Sequence, residues 1–383
     1  MIYLILLVLV LGYLVAERRL HERRLRRIPV RIHVNGTRGK TAVTRLAAEL
    51  LRQAGVRTLA KTTGDRPVVH MPDGGELPLP RHGPARIGEQ MSVVRLAARA
   101  GVDAVVVECM ALDPHLQEIS ATAMLRATVG AITNVRPDHF EVMGPTLAEA
   151  AGAMARTAPA GGVLVCGADC PLTALRAAVA RHAVSLVPAE PLPSLADPVL
   201  AENLALAAEI VLQAGVPPDR VEAGVQRIIA RGSDGLVRRL GTGDREVALV
   251  DAFSANDTVS TDRLREWAVR THGAELPRPW IALLNARSDR PLRTVAFAES
   301  LARASCYDAL AVTGSGGMLA RRRLRRSRPT VPVFAVAGRD PLRLLDAVAA
   351  GAAARSFTLF GVGNHRGAGA ALRRHFAGGA PCS

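Results

Sequence analysis

Lysine is almost missing from this sequence: among 383 residues only Lys40 and Lys61 occur. Aromatic residues are also scarce, at 3%. The five cysteines (Cys109, Cys166, Cys170, Cys306 and Cys382) are scattered, and no two stand in a C-x-x-C spacing. Each scarcity excludes something. An odd, dispersed cysteine set gives a disulfide framework nothing to build on and fits reduced thiols in the cytosol. Cys166 and Cys170 have no second pair to complete a four-ligand metal site, so they read as buried thiols. No aromatic side chains interleave the basic runs to stack on bases, and no helix-turn-helix or zinc pattern appears. Nucleic acid is therefore not expected as a partner. Short repeats and low-complexity tracts are also absent.

What is present describes a globular chain. Apolar residues make up 49% and charged residues 22%, and the length suits two domains, each with its own core. Ala, Val and Leu dominate, as in helix-covered parallel sheets. The net charge is +15, nearly all of it arginine. A GC-rich coding preference accounts for arginine in place of lysine, but not for the sign. The sign suits a polyanionic partner or an anionic membrane surface. The basic run at 321–328 (RRRLRRSR) reads as a solvated helix face.

Residues 1–16 (MIYLILLVLVLGYLVA) carry no charge, and ERRLHERRLRR follows. This pattern predicts a short transmembrane helix lengthened by snorkelling arginines. A cleaved signal peptide fits badly, because the charges follow the apolar run. The positive-inside rule predicts a single-pass protein with its N-terminus out and its catalytic domains cytoplasmic.

Beyond this anchor, strands are expected at 28–34, 102–107, 127–132 and 162–165, with helices at 41–54, 89–100 and 147–155. A helix at 198–214 and a hinge at 231–235 (RGSDG) follow. Alternation then restarts with strands at 247–250, 280–284, 309–312, 333–336 and 357–360. The fold class is α/β: a transmembrane helix, a phosphate-loop ATPase domain on a parallel doubly wound sheet, and a second Rossmann-like α/β domain. The boundaries are 1–27 for the anchor and basic segment, 28–232 for the first domain and 233–383 for the second.

Three clusters carry chemistry. Gly36-Thr37-Arg38-Gly39-Lys40-Thr41 follows a strand and opens a helix, so backbone N–H groups and the helix N-terminus can cradle phosphates. Lys40 would reach the β/γ-phosphates of ATP and the Thr41 hydroxyl would hold Mg²⁺. The standard loop needs glycine where Val34 stands, so this is the shorter G-x-x-G-K-T form. Glu108 directly follows the strand at 102–107. It fits a Mg²⁺ ligand and, on position alone, fits a surface carboxylate equally well. The third cluster, Thr133 to His139, again follows a strand. His139 suits a metal or phosphate site, or an ordinary surface loop.

Together these clusters resemble the ATP-binding core of the Mur ligase superfamily, and within it the poly-γ-glutamate synthase catalytic subunits. The resemblance rests on NGTRGKTAVTRL (35–46), KTTG (61–64), IGEQ (87–90), VECMALDP (107–114), NVRPDHFEVMGPTL (134–147), FSANDTVST (253–261), NARSDR (285–290) and GVGNHRGAG (361–369). It implies a Mur-ligase-like fold and an ATP-dependent amide ligase, in which an acyl phosphate forms on a carboxylate and the amine of glutamate displaces phosphate. It implies ATP bound by Asn35 and the loop residues through Thr41, Mg²⁺ on Thr41, Glu108 and His139, the nucleotide base held by Asn203, and Arg238 and Asp251 closing on ATP from the second domain. Lys40, Glu108, His139 and Arg238 are the implied catalytic residues. The implied partners are glutamate, poly-γ-glutamate, the membrane and small multi-spanning membrane subunits.

Departures are visible. A separate domain for a uridine nucleotide has no room between the anchor and the loop. The carbamylated lysine of many Mur ligases has no counterpart, with Arg156 in that region. The usual D-x-A-H-N-P motif is replaced by DAFSAND (251–257), as in the poly-γ-glutamate enzymes. Alternative readings are a related ligase joining a different amino acid, and a non-catalytic ATP-binding scaffold of an export complex.

Overall fold

In the computed structural model, Ala104–Glu108 (AVVVE) forms a strand buried along its whole length. Its three valines are stiff at χ1 and suit a pleated interior. Burying each contributes about 1.5–3 kcal/mol. The structure describes all residues except 64–66, 82, 84, 181–182, 191, 193–194, 196–197, 231–235, 243–244, 254, 256, 329 and 379–383. The hinge expected at 231–235, Gly64, Cys382, and Ser254 and Asn256 of the FSANDTVST stretch lie outside the described residues. The chain forms two compact units, Met1–Ser194 with Leu200–Ala230, and Leu195–Val199 with Arg231–Ser383.

The strands of the first unit are β1 (Val30–Asn35), β2 (Thr58–Thr62), β3 (Val68–His70), β4 (Glu76–Pro78), β5 (Ala104–Glu108), β6 (Val129–Ile132), β7 (Val163–Cys166) and β8 (Ser185–Pro188). They form one sheet in the order β4-β3-β2-β5-β1-β6-β7-β8. The six strands from β2 to β8 in that order run parallel. The hairpin β3-β4 adds an antiparallel edge, so the sheet is mixed. β1 lies between β5 and β6. Its neighbours were reached by opposite crossovers, which opens a crevice at the carboxyl ends of the central strands.

The helix Lys40–Gln53 buries Val43, Ala47, Ala48, Leu50 and Leu51 on one side, the spacing of an amphipathic helix packed on a sheet. The helix Leu147–Ala155 begins at a capping box in which Thr146 and Glu149 bond each other's backbone N–H.

The N-terminal helix, Ile2–Arg26, corrects the transmembrane expectation. Among the described residues, no helix is long and apolar enough to cross a membrane. Its uncharged stretch, 2–16, is fifteen residues, about 22 Å at the α-helical rise. A hydrocarbon core is about 30 Å thick. Glu17, Arg18 and Arg19 follow at once, so no longer window of the helix is free of clustered charge. The single-pass placement, with an outside N-terminus and cytoplasmic catalytic domains, therefore loses its basis. The basic end is instead a packed element. Leu25 joins the core with Val93, Val94 and Ala97, His21 bonds the Met124 carbonyl at 2.7 Å, and Glu22 pairs with Arg126 at 2.9 Å.

The second unit holds β9 (Val237–Thr242), β10 (Arg245–Asp251), β11 (Trp280–Asn285), β12 (Ala309–Thr313), β13 (Val333–Ala335) and β14 (Phe357–Gly363). Their order is β13-β12-β11-β14-β10-β9, parallel except for β9 against β10. Core clusters lie on both faces. One contains Trp267, Trp280, Phe297, Tyr307 and Phe360, and the other Phe253, Phe357 and Phe376. Six of the seven phenylalanines and both tryptophans belong to this unit. The first unit packs on aliphatic side chains, and the second on most of the chain's scarce aromatics.

Candidate active site

Parallel register places the chemistry-bearing residues side by side. Val34 pairs with Glu108 across β1 and β5, and Asn35 pairs with Ile132 across β1 and β6. The loop 36–41, Glu108 and the segment 133–139 therefore leave three adjacent strands at the same edge.

The loop is held by backbone conformations few residues tolerate. Gly36 has φ +128° and Gly39 φ +80°. A Cβ on Gly36 would lie 2.1 Å from Thr133 Oγ1 and 2.8 Å from the Thr133 nitrogen. Thr133 cannot give way, because its N–H donates to Asn35 O at 2.9 Å and its hydroxyl donates to Arg38 O at 2.5 Å. Gly36→Ala combines backbone strain with a clash against fixed backbone. It is expected to lower stability by about 2–4 kcal/mol, read as a lower denaturant midpoint at unchanged m-value. A midpoint within error of wild type would show that the loop can open. A Cβ on Gly39 would meet Asn203 Oδ1 at 2.6 Å, so Asn203 presses on the loop from the helix Pro198–Gln213.

Side chains complete the cradle. Asn35 Oδ1 accepts the Gly36 N–H at 2.8 Å, and its amide donates to Gln117 at 2.7 Å. Asn134 Oδ1 accepts the Arg38 N–H at 3.0 Å. Thr37 Oγ1 accepts the Arg136 N–H at 3.0 Å. Lys40 folds its ammonium onto the loop, donating to Gly36 O at 2.5 Å and Thr37 O at 3.2 Å. Burial of the ammonium lowers its pKa, opposed by the Glu108 carboxylate. Thr41 Oγ1 donates to Glu108 Oε2 at 3.0 Å, and the same oxygen accepts the Thr63 N–H at 2.7 Å. A hydroxyl and a carboxylate, both hard oxygen donors, thus face one point beside the loop. Their chemistry fits a hard divalent cation.

His139 is placed differently. It adopts φ +51° and faces Glu141 at 3.1 Å and Asp138 at 3.8 Å. Asp138 in turn pairs with Arg38 at 2.8 Å, which ties His139 to the loop through two residues. Among the described residues no hydrogen bond joins His139 to Thr41 or Glu108, and no group of three or more His, Cys, Asp or Glu side chains has metal-ligand geometry. Arg238 and Asp251 lie in the second unit. Asp251 accepts from Arg373 Nε at 2.7 Å, and Arg238 donates to the Arg373 carbonyl at 3.1 Å. Burial raises the Asp251 pKa against the pull of Arg373. Arg156 pairs with Glu118 at 3.4 Å.

One group escaped the residue-level reading. A cavity of about 250 Å³ beside the loop is lined by Lys40, Thr63, Arg81, Glu108 and Met110. Behind it Lys61, fully buried, pairs with Glu89 at 3.2 Å, and Glu89 takes Arg81 in two bonds of 2.7 and 3.0 Å. Burial lowers the Lys61 pKa, opposed by Glu89. Burial raises that of Glu89, but Arg81 and Lys61 outweigh it and hold the carboxyl below its ordinary range. The signal was present in the motifs KTTG and IGEQ, which supply Lys61 and Glu89. Cys109, Cys166, Cys170 and Cys306 are free, and burial pushes the Cys109 thiol up to about 11.

Comparison with known proteins adds a second line. The family described as Mur ligase middle domain matches residues 34–189. The family described as poly-gamma-glutamate synthase CapB C-terminal domain matches residues 237–379. The chain is similar to PGA synthase CapB of Bacillus subtilis (strain 168), at 35% identity over 308 residues covering 77% of this chain and 76% of that one. It is similar to the capsule biosynthesis protein CapB of Bacillus anthracis, at 34% over 301 residues covering 76% and 64% respectively. Among solved structures, folylpolyglutamate synthase of Thermotoga maritima aligns with TM-score 0.61 at 12% identity, over 98% of this chain and 97% of that one. The bifunctional folylpolyglutamate synthase/dihydrofolate synthase of Yersinia pestis, complexed with AMPPNP and Mn ion, aligns with TM-score 0.64 at 18% identity, over 94% and 92%. At these identities the structural likeness speaks for the fold.

Proposed function

We infer function from a plain premise: the chain belongs to the poly-γ-glutamate synthase CapB family. It is an ATP-dependent amide ligase that adds glutamate to build poly-γ-glutamate. In the proposed reaction a substrate carboxylate oxygen attacks the γ-phosphorus of ATP, and ADP leaves. The amine of the next glutamate attacks the acyl phosphate carbon, the C–O bond to phosphate breaks, and the amine gives up a proton. One amide, ADP and phosphate result.

The observation that carries this reading is the loop with its Thr41–Glu108 pair at the joint edge of β1, β5 and β6. Gly36–Thr41 would hold the phosphates, with Lys40 turning from the loop carbonyls to the β/γ-oxygens. Thr41 and Glu108 would hold Mg²⁺, which neutralises charge on the transferring phosphoryl group when bound. His139, tied to the loop through Asp138 and Arg38, would be the third Mg²⁺ ligand that the family resemblance implies. Asn203, pressed against Gly39, would contact the nucleotide. Arg238 and Asp251, linked through Arg373, would serve the second unit's side of the reaction. The family resemblance adds small membrane subunits as partners.

The test is glutamate-dependent ADP formation by the chain, with and without those subunits, across all twenty amino acids. Stimulation by glutamate alone is the expected result. Stimulation by another amino acid would instead favour the related-ligase reading, and ATP binding without turnover the scaffold reading. Glu108→Gln is expected to raise the Mg²⁺ concentration for half-maximal activity at least tenfold. An unchanged Mg²⁺ dependence would remove Glu108 from the metal site.

A further inference from the structure

Two sequence motifs, NARSDR and GVGNHRGAG, have no part in the chemistry above. Both end at one place in the second unit. A cavity of about 710 Å³ opens at the carboxyl ends of β11, β12, β13 and β14, bordered by Asn285, Thr313, Ala335 and Asn364. Among the described residues that line it are four arginines (Arg287, Arg321, Arg339 and Arg366) and no Asp or Glu. Its floor is backbone against backbone. A Cβ on Gly314 would lie 2.2 Å from Ala286 O, and one on Gly316 would lie 2.7 Å from the Arg287 backbone. Asn285, buried at 4% exposure, fixes the β14 exit by donating to Asn364 O and Arg366 O at 2.6 and 2.7 Å. The cavity is therefore a built crevice in the place where open parallel sheets bind ligands.

The charge of two of these arginines, Arg321 and Arg339, is left unanswered among the described residues. Arg287 has a local partner, Asp289, at 2.8 Å. Among the described residues, Arg321 and Arg339 have no ion pair, and Arg321 Nε is buried with no hydrogen-bond partner. A buried donor of this kind is destabilising until an acceptor reaches it. Two unpaired guanidinium groups in a crevice favour a ligand with at least two separated anionic groups, and each guanidinium is shaped to take a carboxylate in two bonds. Free glutamate, with an ammonium beside its two carboxylates, has a net charge of only about −1 at neutral pH. An oligomer of γ-linked glutamate has one free carboxylate on every unit.

We propose that this crevice is a binding site for the polymer itself, holding consecutive carboxylates of a poly-γ-glutamate segment on Arg321 and Arg339. It rests on the ligase reading, and adds to it a means of retaining the chain between additions.

The experiment titrates the full chain, without nucleotide, with glutamate and with γ-linked glutamate dimer, tetramer and octamer by calorimetry. Glutamate-dependent ADP formation is measured on the same preparations. Affinity is expected to rise at least about tenfold from glutamate to tetramer and then level off. Arg321→Gln with Arg339→Gln should remove most of that gain. Arg326→Gln, on the same helix but outside the crevice, should leave it intact. Circular dichroism checks that each variant is folded, and the Arg339→Gln variant alone, at an exposed position, should already lower tetramer affinity several-fold. Equal affinity for glutamate and tetramer with ADP formation intact would overturn this proposal alone. So would equal loss in Arg326→Gln, or equal binding of tripolyphosphate, because either marks a general response to positive charge. Absence of both oligomer binding and glutamate-dependent ADP formation would overturn the ligase reading and this proposal together.

Discussion

Lys40→Ala should reduce glutamate-dependent ADP formation by about 10²–10³-fold while leaving the fold intact. The fold survives because, among the described residues, Lys40 bonds to loop carbonyls alone, Gly36 O and Thr37 O. No core side chain depends on it. Turnover falls because the charge that develops on the transferring phosphoryl group loses its fixed cation. The loss should appear mainly in kcat, with a smaller rise in the KM for ATP. Lys40→Arg should restore little, since a planar fork does not reproduce a point charge seated among loop carbonyls. The pH response gives a second readout. Burial lowers the Lys40 pKa, with Glu108 opposing, so the free enzyme loses this proton below the ordinary lysine range. Wild-type ATP affinity should therefore fall as pH rises through that lowered value, and the affinity of Lys40→Ala should stay flat there. Stopped-flow nucleotide binding between neutral and alkaline pH measures it. Turnover within threefold of wild type would remove Lys40 from the reaction.

The other large effect concerns stability in acid. His33 is fully buried in β1, 3.3 Å from Ser120 Oγ, and its Nδ1 has no hydrogen-bond partner. Burial, and then the nearby charge of Lys61, push its pKa down to about 3. In the unfolded chain the imidazole titrates near 6.5. As pH falls below that value the unfolded state takes up a proton that the folded state refuses. The stability contributed by neutral His33 is complete above about pH 6.5 and declines as pH falls towards 3. The slope is about 1.4 kcal/mol per pH unit, for a total of about 5 kcal/mol. In His33→Gln that slope should be absent, so the variant's urea midpoint should depend less on pH between 6.5 and 4 than that of wild type. Parallel curves would show that His33 is protonated in the folded protein.

How much could be read beforehand differs by element. β5 and β11 are near-continuous apolar runs and were legible as strands within one or two residues. The helix Leu147–Ala155 begins and ends where expected, because its capping box is written in four consecutive residues. β2 was not anticipated. Its sequence, TLAKT, carries a lysine, which the Glu89 carboxylate on another element helps make tolerable in the interior. The edge hairpin β3-β4 was missed as well, since three-residue strands have no periodicity to read.

The N-terminal helix shows the opposite failure. Its apolar run suggested a membrane span, but length and charge spacing deny it one, and the basic end packs against the first unit. In the site, the loop, Glu108 and the 133–139 segment were all visible as motifs. Which of them meet was not. Register brings Thr41 to Glu108, while His139 turns to Glu141 and Asp138.

The sequence by itself therefore determined the family, the glycine turn at 36–41 between a strand and a helix, and the alternation of strands and helices. These depend on local spacing, which a chain carries in its order of residues. Only the tertiary structure decided that the sheet is mixed, that Lys61 is buried against Glu89, and that two unassigned arginine motifs border one crevice. Such facts depend on which distant segments become neighbours, and burial and charge have no meaning until that neighbourhood exists.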